Sequence, residues 1–133
     1  MSRQPCRCVG LLPDGTIILE IGGQVTEAVL RGVQPPQPLP QAWQEWVERR
    51  LPRTQRPLRC QIHPEATAPG GRPSVTVQYF AWADKSGDVW DDLGGRLVEE
   101  GLARVAPGAF DERDEYEQRQ HRAKAAHRGL WAL

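Results

Sequence analysis

The sequence predicts an α+β domain: a small five-stranded Greek-key β-barrel with about three packed helices. Three observations lead there. The first 33 residues alternate β-rich runs with turn signatures at the spacing of a meander. Twelve prolines and thirteen glycines among 133 residues indicate many turns rather than long uninterrupted helices. Helical patterning is confined to three stretches, 42–51, 92–101 and 111–128.

Residues 5–12 read as an extended apolar strand, closed by the turn Pro13-Asp14-Gly15. The β run Thr16-Ile17-Ile18-Leu19-Glu20-Ile21 follows, Gly22-Gly23 marks a hairpin, and residues 24–33 return as a third strand. Pro35, Pro36, Pro38 and Pro40 cannot continue a sheet, because each lacks a donor and fixes its own φ. Trp43, Trp46, Val47 and Arg50 recur at three-and-four spacing, which predicts a helix over 42–51 ended by Pro52.

Residues 58–63 read as a strand, 64–71 as a Pro/Gly-rich connection and 74–83 as the longest strand. Alternation puts Val75, Val77, Tyr79 and Ala81 on its core side, with Phe80 and Trp82 opposite, over the packed helices or beside Trp90. A polar turn over 84–88 leads into the short strand Val89-Trp90 and a helix over 92–101, with Asp91 or Asp92 as N-cap and Gly101 at its C-terminal end. Residues 103–105 predict an edge strand. The last helix, 111–128, carries acids first and bases last, with Gly129 after it. This order matches the OB-type barrel, whose strand face and loops commonly bind oligonucleotides.

A chain of 133 residues fits one domain over 1–133, long enough to bury a core without staples. No apolar run reaches about 18 residues and the start lacks a signal-peptide core, so a cytoplasmic protein without a membrane partner is expected. Three cysteines are an odd number, which argues against a disulfide framework. Cys6, Cys8, Cys60 and His63 lack the usual two-to-four-residue gap within each ligand pair of a zinc site, so buried or half-buried thiols are expected. His121 and His127 read as helix-surface residues. No phosphate-cradling glycine loop and no nucleophile elbow is present.

Formal net charge is zero, so a whole-chain field steering the protein onto nucleic acid is absent. A local asymmetry survives in Arg49, Arg50, Arg53, Arg56 and Arg59, a run without an acid that either neutralises phosphates or decorates a solvated helix end. Exposed rings at Phe80 and Trp82 would complete a surface for single-stranded nucleic acid.

The run Leu97-Val98-Glu99-Glu100-Gly101-Leu102-Ala103-Arg104-Val105, followed by Tyr116, Ala123 and Gly129-Leu130-Trp131, resembles the C-terminal half of staphylococcal nuclease-like domains. Asp14-Gly15-Thr16 is similar to the family's first turn, and Leu30-Arg31-Gly32-Val33-Gln34-Pro35-Pro36 to its loop after the third strand. The resemblance implies an OB-type fold, core closure by Trp131, and calcium-dependent phosphodiester cleavage in members that retain the site. In those members carboxylates hold the cation, a glutamate activates water, and two arginines neutralise the phosphate.

Set against that pattern, Gly15 stands at a metal-ligating aspartate and Val29 at the first arginine. Gln34, Pro35 and Gln37 stand at the family's Asp, Thr and Glu, and only Arg72 matches, at the second arginine. Gln37 cannot accept a proton from water at neutral pH. The resemblance therefore implies a catalytically degenerate module, acting on a protein partner or single-stranded nucleic acid without a cofactor. The alternative is a calcium-dependent nuclease with a rearranged site, built from Asp14 and Glu27 as carboxylates and Arg31 and Arg72 as phosphate ligands.

Overall fold

The structure, a computed structural model, describes residues 3–51, 58–67 and 71–132. Strands β1 (Gln4–Leu11), β2 (Ile17–Ile21) and β3 (Gln24–Leu30) form the expected antiparallel meander. Gly22 and Gly23 make a two-residue turn with both φ positive, the geometry that matches the twist of a tight hairpin. The third strand stops at Leu30, three residues earlier than its pattern suggests. Arg31-Gly32 turns the chain, and the two-residue strand β4 (Val33–Gln34) leaves in a new direction.

Helix α1 (Gln41–Arg50) starts after Pro40 and buries Trp43 and Val47, one turn apart, against the sheet. Strands β5 (Leu58–Thr67) and β6 (Pro73–Asp84) form a long antiparallel pair. Strand β5 thus runs four residues beyond its expected end and through Pro64, because β6 supplies a partner that local composition does not reveal. Strand β7 (Gly87–Asp92) pairs with β6, with a register shift between Phe80 and Trp82.

The sheet order is β3-β2-β1-β5-β6-β7, and a parallel pairing of β3 with β6 brings the sheet round into a ring, consistent with an OB-type fold. Two seams join the meander to the rest: three residue pairs between β1 and β5, and Val29↔Ser74 with Leu30↔Val75 between β3 and β6. Inside lie Ile17, Leu19, Leu30, Leu58, Val75 and Val77.

Helix α2 (Leu93–Glu99) is N-capped by Asp92, whose side chain accepts from Gly95 N, and it buries Leu93, Leu97 and Val98. Its end is a Schellman motif: Gly101 N donates to Val98 O at 3.1 Å and Leu102 N to Leu97 O at 2.9 Å. Strand β8 (Arg104–Val105) pairs with β4. Helix α3 (Arg113–Ala125) is shorter than its charge pattern suggests and buries only Tyr116 and Ala123. Arg96 and Arg119 bind Asp91 and Glu99, and Arg122 binds Glu99, tying α2 to α3.

The closing 3-10 turn, Gly129–Trp131, docks on the α2 terminus, where Leu130 N donates to Gly101 O at 2.8 Å. The two backbones cross so closely that a Cβ at Gly101 would overlap the Arg128 carbonyl, and one at Gly129 the Gly101 carbonyl. Trp131 is half-buried, with Lys124 Nζ at 4.7 Å and the Arg104 guanidinium at 5.4 Å from its ring centre. It is not part of the buried core cluster, so it does not close the core as the resemblance implied.

Candidate functional site

The turn between β1 and β2 is built locally. Leu12 N donates to Thr16 O at 2.8 Å, Gly15 N to Leu12 O at 3.0 Å, and Asp14 Oδ1 accepts from Thr16 N at 2.9 Å. Gly15 sits at φ +92°, and a Cβ there would lie 3.1 Å from Pro35 Cγ. Arg72, just before β6, donates to Asp14 Oδ2 at 2.8 Å and to the Thr16 hydroxyl. The Asp14 carboxyl is lowered to about 2, first by the Arg72 hydrogen bond and then by those from Thr16.

A cavity of about 390 Å³ opens beside this pair. Gly15, Val29, Gln34, Pro35 and Gln37, scattered over 23 sequence positions, all line it together with Asp14 and Arg72. Leu30, Val33 and Trp43 make much of the remaining wall apolar. The Gln37 side-chain amide donates to Asp14 O at 3.3 Å, so one of the replacing groups is bound to the turn itself.

Of the four residues that a rearranged site would need, the structure brings Asp14 and Arg72 together. Glu27 is exposed on β3 and reaches Arg72 only through its field. Arg31 turns elsewhere: its Nη1 donates to His63 Nδ1 at 2.7 Å, and His63 Nε2 then donates to Thr76 Oγ1 at 2.7 Å. This donor set does not fit calcium, which takes six to eight oxygens, since among the described residues Asp14 is the one carboxylate on the cavity wall and it carries a guanidinium already. Among the described residues no group of three or more His, Cys, Asp or Glu is placed to hold a metal ion.

A second hollow, of about 430 Å³, joins residues that lie far apart in the chain. Arg49 and Arg50 reach it from the end of α1, Phe80 and Trp82 from β6, and Arg96 from α2. The bulge between Phe80 and Trp82 separates their roles. Phe80 packs edge-on to Trp90 at 6.0 Å, whereas Trp82 is 51% exposed. Arg50 lies 3.7 Å over the Trp46 ring, Arg59 lies 3.9 Å over Trp90, and Arg49 is exposed. Arg53 and Arg56 fall outside the described residues.

A third hollow of about 270 Å³, lined by Arg3, Arg59 and Trp90 among others, shares Leu58 with the second. Sequence reasoning missed Arg3 and the stacking of Arg59 on Trp90, which depends on β5 and β7 flanking β6. His121 and His127 are exposed, as expected, and His63 is buried. Cys6 is half-buried, Cys8 and Cys60 are buried, and all three are free thiols. No helix among the described residues is long and apolar enough to cross a membrane.

Compared with known protein families, residues 64–133 match the model described as staphylococcal nuclease homologue. No curated protein matches the chain.

Proposed function

The chain belongs to the staphylococcal nuclease homologue family, and from that premise we propose that it is a non-hydrolysing member that holds single-stranded nucleic acid on an arginine and aromatic surface. One contrast carries the reading. The arginine at the family's phosphate position already donates through its Nη1 to Asp14 and Thr16, whereas Arg49 stands exposed beside an exposed ring at Trp82.

Hydrolysis of a phosphodiester needs a group that withdraws a proton from water and a positive field at the pentacoordinate phosphorus. In the first cavity the groups at those places are two amides, Gln34 and Gln37, one proline, Pro35, and an Asp14–Arg72 ion pair. The second hollow offers what binding without cleavage requires. Guanidinium groups meet phosphates, and a base stacks on the open Trp82 face. Tyr79, Leu58 and Ala81 give its apolar wall.

The test uses the intact protein and a labelled 12-mer of deoxythymidine or uridine, read by fluorescence anisotropy. Binding that weakens steeply as salt rises from about 50 to 200 mM supports the reading. Absence of binding at 50 mM salt overturns it, and leaves the same surface to an acidic protein partner. A digestion assay on single-stranded DNA and RNA, with calcium and then with chelator, is expected to show no cleavage. Chelator-sensitive cleavage lost in Arg72→Ala would return the enzyme reading.

A further inference from the structure

Resting on the nucleic-acid reading of the second hollow, we propose that the third hollow is a phosphate subsite, where Arg3 and Arg59 clamp the backbone of the strand whose base stacks on Trp82. Leu58 and Cys60 are buried while Arg59 between them is exposed, so Arg59 leaves β5 on the outer face of the sheet. The register sets Arg59 beside Gln78 of β6, and Phe80 of β6 beside Trp90 of β7. Arg59 therefore reaches across β6 to lie 3.9 Å over the Trp90 ring. Arg3, exposed just before β1, lines the same hollow.

That arrangement decides which part of a nucleotide fits. Trp82 is 51% exposed and offers a ring face to a base. Trp90 has the Arg59 guanidinium over its ring and Phe80 packed edge-on at 6.0 Å, so it serves as a mount for a cation. A guanidinium stacked on an indole uses its flat face and keeps its N–H donors around the edge, already ordered. Among the described residues neither Arg3 nor Arg59 gives a hydrogen bond or an ion pair to the protein. No carboxylate lines the hollow among those residues. Two such cations suit the oxygens of a phosphate.

The second hollow is differently endowed, because its Arg96 is committed to Asp91 and Glu99. Much of the phosphate grip therefore falls to the third. Trp82 stands two residues beyond Phe80, a rise of about 7 Å along β6, and Phe80 packs on Trp90. One strand can lay a base on Trp82 and a neighbouring phosphate between Arg3 and Arg59.

The test follows the anisotropy of a labelled deoxythymidine 12-mer and of a fully abasic strand of equal length, with the intact protein, as salt rises from about 50 to 200 mM. Arg3→Gln combined with Arg59→Gln should lower the slope of log affinity against log salt by about 1 to 2 for both probes. Trp82→Ala should weaken the 12-mer and leave the abasic strand unaffected. Both arginines are exposed, and circular dichroism should show the double variant folded. An unchanged slope in that variant, or an abasic strand that does not bind at about 50 mM salt while the 12-mer does, overturns the subsite and leaves the second hollow standing. Failure of the wild type to bind either probe overturns both readings. A labelled deca-glutamate peptide bound as tightly as the 12-mer, with the same dependence on Arg3 and Arg59, would give the hollow to an acidic protein partner instead.

Discussion

Asp14 and Arg72, 58 positions apart in the chain, meet at 2.8 Å on the wall of the first cavity. Each is the other's counter-charge. Through its Nη1 alone the guanidinium answers a carboxylate and a hydroxyl, and the contact ties the turn between β1 and β2 to the start of β6.

Asp14 should titrate near 2 when followed by carboxyl-carbon NMR, and Arg72→Ala should move its midpoint up toward the ordinary carboxylate value of about 3.9. Because the folded-state value is depressed, the pair's stabilisation is present above pH ~4 and is lost as pH falls through about 2. With its side chain 49% exposed, Asp14 contributes little to global unfolding. An unmoved midpoint in the variant would show that Arg72 is not the cause.

Gly15→Asp places a side chain at φ +92° and 3.1 Å from Pro35 Cγ. Alone it should cost on the order of 1–3 kcal/mol in urea unfolding. Combined with Pro35→Thr the loss should be smaller than the sum of the two single changes, because the close contact is relieved while the backbone strain stays. Strict additivity would mean that the two positions do not feel each other.

Local features were the ones legible in the sequence. The Gly22-Gly23 hairpin, the Asp92 cap and the Gly101 stop each depend on a few neighbouring residues, and each is found where expected. Features decided by distant partners were not legible. Strand β5 continues through Pro64 because β6 lies alongside it, and Arg31 is claimed by His63, 32 residues away. The site shows the same division. Motif alignment picked out Gly15, Val29, Gln34, Pro35 and Gln37, which do share one cavity, but the ion pair that occupies Arg72 could be seen only after folding.

Asp92 is raised to about 6, chiefly by burial, against the lowering effect of the Tyr116 hydroxyl that donates to it. The folded state therefore holds a proton that the unfolded state has released, and this group's contribution makes stability fall as pH rises from about 4 through 6. Asp92→Asn keeps an oxygen for Gly95 N and removes that slope, leaving a difference from wild type of at most about 3 kcal/mol at pH 7. Identical pH profiles of urea unfolding would refute the assignment.

Trp82→Ala should weaken oligonucleotide binding by about 1–3 kcal/mol if a base stacks there. Arg49→Gln should reduce the slope of log affinity against log salt by about 1. Both positions are exposed, so thermal unfolding of the two variants should match wild type. Unchanged affinity in both would move the ligand off this surface.

Gly129 is exposed and Gly101 is buried, yet the backbone crossing makes them equally intolerant. A saturation scan scored for folding should show the solvent-facing glycine behaving like a core leucine, with even alanine rejected. Surface accessibility would rank Gly129 among the freest positions in the chain. What restricts it is another stretch of backbone, and a count of buried side chains has no term for that.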